Sequence, residues 1–223
     1  DGAEPADSVA MSLYTEPISV DSTTVVKARA YTPGMLPGVV TTRTYLVDRD
    51  FELPVMSLST HPDHFFDDKI GIYVKGTNTS YERSRYNANY GEDWERPVHV
   101  EFFEADGALG FSIDAGVKII GLAGRTYPRK GMALFARSEY GYSEINYRIF
   151  PDLPIEEFTA LVLRNSGRDL VDHSTLFRDE LCQALVEDLD VDLMAYRPVI
   201  VYINGVYWGI HNLREKQNEE YLA

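Results

Sequence analysis

The sequence predicts an α+β fold in which a small, partial all-β module, residues 1–48, precedes a mostly antiparallel sheet with one packed helix, residues 49–223. Three observations lead to this prediction. Short apolar or alternating runs bounded by Gly, Pro and Asp are typical of strands. Asp106-Gly107 and Asn204-Gly205 join pairs of such runs and indicate hairpins. A single long helical pattern, residues 169–190, carries apolar residues at three- and four-residue intervals.

Composition limits the possible partners. The 21 basic and 35 acidic residues give a net charge of -14, which disfavours nucleic acid as a partner. No apolar run is long enough to span a membrane. The lone Cys182 excludes an intrachain disulfide, and its place in the helical pattern predicts a buried apolar role. The ends at Asp1 and Ala223 suggest cut points in a longer polypeptide.

The N-terminal module is predicted to contain three strands. They cover residues 14–20, 23–31 and 39–47, and they are separated by Pro, Gly and Asp turns. Three strands make a marginal unit alone, so we expect the module to be incomplete or to lean on the rest of the chain.

The next segment alternates strands and turns. Residues 53–59 and 71–75 are predicted strands, with a helix start at Pro62 between them. Residues 97–104 and 109–113 form the first predicted hairpin. His61, Asp63 and His64 are candidate metal ligands by type, but a capped helix start is the preferred interpretation, and no metal site is predicted.

Residues 116–137 contain the most informative pattern, a basic turn between two apolar strands. Arg125, Arg129 and Lys130 concentrate positive charge in an otherwise acidic chain. A lysine anchored at the base of a strand is well placed to hold an anion such as phosphate. The alternative interpretation is an ordinary basic turn, solvated at the edge of a hairpin.

The C-terminal part is predicted to continue the sheet. Strands are predicted over residues 144–150 and 161–164, followed by the helix over residues 169–190. The apolar stripe of that helix should face the sheet, and its acidic residues should be solvated. Residues 199–203 and 206–210 form the second hairpin, after which a helix is predicted to begin at Arg214.

The N-terminal residues resemble a known module. DGAEP, then LYTEPISVDSTTVVKARAY and TRTYLVD, are similar to the chitobiase/β-hexosaminidase C-terminal-like β-sandwich of secreted bacterial proteins. Such modules are usually spacers, and no site is assigned here. A glycan-binding role would require exposed aromatic residues, for which Tyr14, Tyr31 and Tyr45 are the candidates.

The remaining residues resemble the spore-coat protein H (CotH) kinase family. The similarity rests on LPVMSLST, GVKIIGLAGRTYPRKGMALF, the LRN segment followed by FRDEL, and PVIVYINGVYWGIHNLREK, in that order. The resemblance implies a protein-kinase-like fold that uses ATP and Mg²⁺ to phosphorylate Ser of secreted or surface proteins. The company of the two resembled modules implies a bacterial, extracellular or cell-surface location.

The resemblance implies specific nucleotide-site residues. Lys130 would contact the ATP phosphates, with Arg125 as the basic position before it. Glu180 would orient Lys130, and Glu215 would lie near the adenine. Asp172 and Arg178 lie where the family places a helix beside the site.

Two departures from the family pattern limit this interpretation. Gly131 stands where the family usually has Ser. The catalytic base and the Mg²⁺ ligands are expected downstream of the last motif, so the catalytic residues are not assigned and the fragment is expected to be inactive. The alternative function is a non-catalytic surface, adhesion or glycan-binding module.

Overall fold

The structure is a computed structural model that describes residues 12–47, 51–77, 86–169 and 175–217. Its helices are α1 (Pro62–Phe66) and α2 (Arg178–Ala184). Its strands are β1 (Thr24–Ala28), β2 (Thr41–Tyr45), β3 (Val55–Ser59), β4 (Arg96–Phe103), β5 (Leu109–Ile120), β6 (Gly131–Phe135), β7 (Ile145–Asn146), β8 (Glu157–Phe158), β9 (Ala160–Arg164), β10 (Tyr196–Ile203) and β11 (Val206–Glu215).

Seven strands form a closed barrel in the order β10-β11-β9-β6-β5-β4-β3. Every neighbouring pair is antiparallel except β3 and β10, which run parallel and close the barrel. The prediction of a mostly antiparallel sheet is therefore confirmed. Its closure was not predicted, because the β3–β10 pairing joins segments that are distant in sequence.

The barrel interior is filled by apolar side chains from alternate strand positions. On β5, Val117 and Ile119 belong to the core, whereas Lys118 between them points outward to Asp93. Phe102, Met132, Leu161 and Leu213 bring the other strands to the same core. Burying such side chains supplies about 1.5–3 kcal/mol each, which makes the interior the main source of stability.

Both predicted hairpins are confirmed. Asn204 and Gly205 have φ values of 51° and 78°, as a two-residue type I′ turn requires. Gly107 has a φ of 85° in the turn between β4 and β5. Glycine adopts these left-handed conformations without steric cost, so the local sequence fixes each turn.

The N-terminal hairpin of β1 and β2 lies against the outside of the barrel. Glu101 of β4, which is 1% exposed, accepts hydrogen bonds from the Thr44 backbone amide at 2.7 Å and from Arg43 at 3.2 Å. The hydroxyls of Thr44 and Ser57 lie 2.8 Å apart. The expectation that this module leans on the rest of the chain is met for the described residues.

Besides the long helix, four predicted elements differ from the structure. Residues 14–20 and 71–75 form no strand, and the strand predicted over residues 144–150 is reduced to β7. Residues 71–75 follow α1 closely, since Ile72 and Tyr73 donate backbone hydrogen bonds to His64 and Phe65. The helix predicted from Arg214 is also wrong, because Arg214 and Glu215 continue strand β11; residues 218–223 lie outside the described part of the chain.

Among described residues 175–190 of the predicted helix, α2 covers only Arg178–Ala184 and presents a different face to the sheet; residues 170–174 lie outside the described part of the chain. In α2 the side chain of Glu180 is buried, whereas Leu181 is 47% exposed and Leu185, just after the helix, is 75% exposed. Cys182 is exposed as well, contrary to its predicted buried role. The described apolar residues that were predicted to pack on the sheet therefore face solvent. Glu180 faces the sheet instead, because it pairs with the buried Arg214.

Candidate functional site

Lys130 lies at one end of the barrel and is only 5% exposed. Its ammonium group donates hydrogen bonds to the backbone carbonyls of Arg125 at 2.7 Å and Tyr127 at 2.9 Å. It also lies over the rings of Tyr90 and Tyr73, at 4.4 and 5.3 Å from their centroids. No carboxylate of the described residues pairs with it, so its positive charge is not neutralised.

Burial has a clear effect on Lys130. Desolvation disfavours the charged ammonium and lowers the pKa of Lys130 from 10.5 to about 8. A lysine with this pKa still carries its charge at neutral pH. An anion bound beside it would favour the charged form and raise that pKa again.

Two arginines lie beside Lys130 in sequence and in space. Arg125 donates to the carbonyls of Gly121 at 2.8 Å and Tyr90 at 3.0 Å. Arg129 donates to the carbonyl of Ile210 at 2.8 Å. We call Arg125, Arg129 and Lys130 the cationic end of the barrel.

Glycine at position 209 allows strand β11 to approach this group. A Cβ added at Gly209 would lie 3.1 to 3.3 Å from guanidinium atoms of Arg129, and its φ is 106°. A larger residue would therefore displace Arg129 and strain the backbone.

An aromatic shell covers the cationic end. The Tyr73 hydroxyl accepts hydrogen bonds from the Lys130 backbone amide and from Nε1 of Trp208, both at 2.8 Å. The rings of Tyr73 and Trp208 lie 5.3 Å apart, edge to face, and Phe66 packs beside both. This shell holds the lysine in place and excludes water from it.

His211 supports Lys130 from the next strand but one. It is fully buried, and its Nε2 lies 3.1 Å from the Lys130 carbonyl oxygen. Burial lowers the pKa of His211 to about 4, so the ring is neutral at physiological pH. A neutral ring at this position adds no positive charge to the cationic end.

A second charged cluster lies on the outer wall of the barrel, beneath α2. Arg214, which is 1% exposed, donates to Glu180 at 2.8 Å and to Asp179 at 3.0 Å. Asn212 donates to the same Glu180 oxygen at 2.8 Å. The Nε and Nη1 atoms of Arg214 and the second oxygen of Glu180 have no hydrogen-bond partner among the described residues.

The structure separates Lys130 from Glu180, which the resemblance had paired. Asn212 and Arg214 flank the core residue Leu213 on β11, so they point to the outside of the barrel and hold Glu180 there. Lys130 instead contacts Tyr73, which belongs to the interior core. Glu180 therefore contacts Arg214 and not Lys130.

The other site candidates occupy separate positions. Glu215 is 8% exposed and accepts a hydrogen bond from the Ala195 amide at 3.1 Å, at the far end of β11 from the hairpin turn. Arg178 at the start of α2 lies 3.6 Å from Asp169. Asp172 lies outside the described residues. Only Arg125 and Lys130 of the predicted set come together.

Metal ligation has little support in the described part of the chain. It contains no group of three or more His, Cys, Asp or Glu side chains that could hold a metal ion. The Nδ1 of His61 accepts a hydrogen bond from the Asp63 amide at 3.2 Å, as a helix cap does. The cationic end suits the phosphates of a nucleotide, whereas no described cluster suits Mg²⁺.

A comparison with family models identifies the C-terminal part of the chain. The model described as CotH kinase protein matches residues 120–223. Residues 120–223 are thus similar to the CotH kinase family. No curated protein matches the chain. The CotH match covers the cationic end, α2 and the hairpin of β10 and β11, so both charged clusters draw most of their residues from it.

This similarity indicates an atypical kinase-like domain, a class of protein that in general uses nucleotide and metal and acts on proteins. None of the helices in the described ranges is long and apolar enough to cross a membrane.

Sequence reasoning missed Arg214, Asn212 and His211. All three lie within the last motif, but His211 and Asn212 fell between the predicted strand and helix, and Arg214 was taken as the start of the helix. Alternation along β11 was the available signal, because it places Asn212 and Arg214 on one face and His211 and Leu213 on the other.

Proposed function

We propose that this chain is the nucleotide-holding part of a CotH-type protein kinase that transfers phosphate from ATP to Ser of secreted or cell-surface proteins. The observation that supports it most is the cationic end, which lies within the matched residues. Lys130 and Arg129 make their hydrogen bonds to backbone carbonyls, so no described carboxylate neutralises them. In a chain of net charge -14, such a local excess of positive charge favours an anion such as a polyphosphate.

The chemistry of phosphoryl transfer fits these residues. Catalysis of this reaction is mainly positioning and electrostatic stabilisation of charge on the phosphates. Lys130 would contact the phosphates with Arg125 beside it. Arg129 would add charge to the same end, and Mg²⁺ would neutralise the phosphates when bound.

Glu180 has a different role in this proposal. Its carboxylate is committed to Arg214 and Asn212, so it fixes α2 against the wall and does not orient Lys130. In the same proposal, Glu215 lies near the adenine of the bound ATP.

Phosphate transfer tests the proposal directly. The complete protein carrying this chain is incubated with Mg²⁺, radiolabelled ATP and a library of serine-containing peptides, and phosphoserine is identified by mass spectrometry. We expect phosphoserine from the complete protein and a large loss in Lys130→Met. Absence of transfer by the complete protein, or transfer unaffected by Lys130→Met, contradicts the proposal.

A glycan-binding role for the N-terminal region is the second candidate. Tyr14, Tyr31 and Tyr45 are 71%, 51% and 49% exposed, as that role requires. Replacing the three tyrosines with Ser should abolish retention on chitin or cell-wall glycan while nucleotide binding is preserved. Retention that is equal in the triple variant argues against this candidate.

A further inference from the structure

Three polar side chains on the outer wall of the barrel form a continuous chain of hydrogen bonds, outside the cationic end. Ser112 and Asp114 lie two positions apart on β5 and share one face, and His99 of β4 pairs in register with Asp114. The Ser112 hydroxyl oxygen lies 3.1 Å from Nε2 of His99. The Nδ1 of the same ring lies 2.7 Å from a carboxylate oxygen of Asp114.

The two partners of His99 fix the role of each ring nitrogen. A carboxylate only accepts hydrogen bonds, so the Nδ1 of His99 carries a proton toward Asp114. In the neutral ring Nε2 is then an acceptor, and it receives the hydrogen bond of the Ser112 hydroxyl. An activated serine is recognised by a base within hydrogen-bond reach of the nucleophile and by a third group that orients the base.

We propose that Ser112 is a nucleophile for acyl transfer, with His99 as its general base and Asp114 as a positioning residue. The substrate class is an unhindered ester that approaches the open wall of the barrel. Ser112 is partly exposed, and the side chains of His99 and Asp114 are 15% and 58% exposed. The proposal is independent of the nucleotide-binding function and uses none of its residues.

A cation from the N-terminal hairpin completes this site. Nη1 of Arg43 donates to the Ser112 hydroxyl oxygen at 3.0 Å, and it lies 3.2 Å from the buried carboxylate of Glu101. A guanidinium hydrogen-bonded to the Ser112 oxygen holds that hydroxyl in place and stabilises negative charge on the oxygen as its proton leaves. Docking of β2 on β4 and β5 therefore brings the fourth member of the group into place.

The reaction balances without any further reactant except water. The Ser112 oxygen forms a bond to the acyl carbon, its proton passes to Nε2 of His99, and the bond from the acyl carbon to the leaving oxygen breaks. His99 returns the proton to the leaving alcohol. Water then repeats the sequence on the acyl-serine, which releases the carboxylic acid and restores the Ser112 hydroxyl.

A fluorophosphonate probe tests the nucleophile in the intact chain. The Ser112 oxygen should form a bond to phosphorus with loss of fluoride, and peptide mass spectrometry locates the adduct. We expect a single adduct at Ser112, loss of labelling in Ser112→Ala, and a labelling rate about 100-fold or more lower in His99→Gln. Hydrolysis of p-nitrophenyl acetate should fall in the same variants.

Matched variants separate chemistry from folding. Ser143 is exposed and has no histidine partner among the described residues, so Ser143→Ala should label like the parent chain. Each variant is checked by its thermal midpoint and circular dichroism. No adduct, an adduct spread over exposed serines such as Ser143, or an adduct rate unchanged in His99→Gln overturns the proposal.

The positioning role of Asp114 is tested by a measurement that would not change if Asp114 only supported the fold. In Asp114→Asn the amide group donates to the ring, so the proton of His99 should move from Nδ1 to Nε2 and labelling should slow by about 100-fold or more. Long-range ¹H–¹⁵N NMR shows which ring nitrogen carries the proton. A fold-preserving Asp114→Asn variant with an unchanged tautomer and labelling rate contradicts the positioning role.

Discussion

The guanidinium of Arg214 on β11 lies 2.8 Å from the carboxylate of Glu180 on α2, and both residues are buried. Asn212 donates to the same carboxylate oxygen, also at 2.8 Å. This network joins the helix to the barrel wall. It explains why α2 presents an acidic residue to the sheet while Leu181 faces solvent.

Removing one member of this pair should destabilise the protein strongly. Arg214→Met leaves the Glu180 carboxylate buried without a cation, which costs about 3–5 kcal/mol of unfolding free energy. Urea unfolding followed by circular dichroism measures the loss. The double variant Arg214→Met/Glu180→Leu should recover most of it, because neither charge is then buried alone.

Asp179 provides the matched control for this pair. It also accepts from Arg214, at 3.0 Å, but its side chain is 40% exposed. Asp179→Asn should therefore cost less than about 1 kcal/mol. Equal losses for Arg214→Met and Asp179→Asn would show that burial does not govern the network.

Glu101 should control the docking of the N-terminal hairpin. Glu101→Gln weakens the charge-assisted hydrogen bonds to the Thr44 amide and Arg43, each worth about 1.5–3 kcal/mol. We expect hydrogen exchange at the Thr44 amide to accelerate by about tenfold or more. Glu139→Gln, an exposed change elsewhere, serves as control. Unchanged protection of Thr44 in Glu101→Gln would contradict this account of the docking.

His211 should make the protein sensitive to mild acid. Its pKa is lowered from 6.5 to about 4 by burial, so between these values the unfolded chain binds a proton that the folded chain does not. Stability contributed by the neutral ring is present above pH 6.5 and is lost as pH falls toward 4, by up to about 1.4 kcal/mol per pH unit.

The variant His211→Gln isolates this effect from the carboxylates that titrate in the same range. Unfolding free energies of parent and variant should converge, or cross, as the pH falls from 6.5 to 4. A constant difference between them over that range would show that His211 is not buried in its neutral form.

Lys130 should produce the corresponding effect at alkaline pH. Its pKa is lowered from 10.5 to about 8, so between these values the unfolded chain holds a proton that the folded chain has released. The stability of the parent relative to Lys130→Met should therefore rise with pH across that window, by up to about 1.4 kcal/mol per pH unit. A difference in unfolding free energy between parent and Lys130→Met that does not change with pH would show that the ammonium is exposed to solvent.

Local sequence was sufficient to predict the hairpins and the cationic turn. Asn204-Gly205 requires left-handed backbone, and Lys130 immediately precedes a buried strand, so each feature follows from its immediate neighbours. Closure of the barrel could not be predicted in this way. It depends on the parallel pairing of β3 with β10, which periodicity along either strand does not reveal.

The helix shows why the candidate site was only partly predicted. Leucines at helical spacing predicted an apolar packing face on α2. In the structure, Glu180 faces the barrel instead and pairs with buried Arg214 of strand β11, while Leu181 is exposed. A charge pair between distant segments leaves no trace in the local pattern. For the same reason, the local pattern did not predict the contact between Glu180 and Arg214.

Nucleotide-dependent stabilisation tests the central claim most directly. Thermal unfolding is measured with and without Mg-ATP for the parent chain, Lys130→Met and Lys118→Met. Lys118 is the matched control because Asp93 and Glu95 neutralise its charge. At a ligand concentration about 100 times the dissociation constant, binding adds about 2.7 kcal/mol. The account predicts stabilisation of the parent and Lys118→Met but not of Lys130→Met; equal stabilisation of all three, or of none, would contradict it.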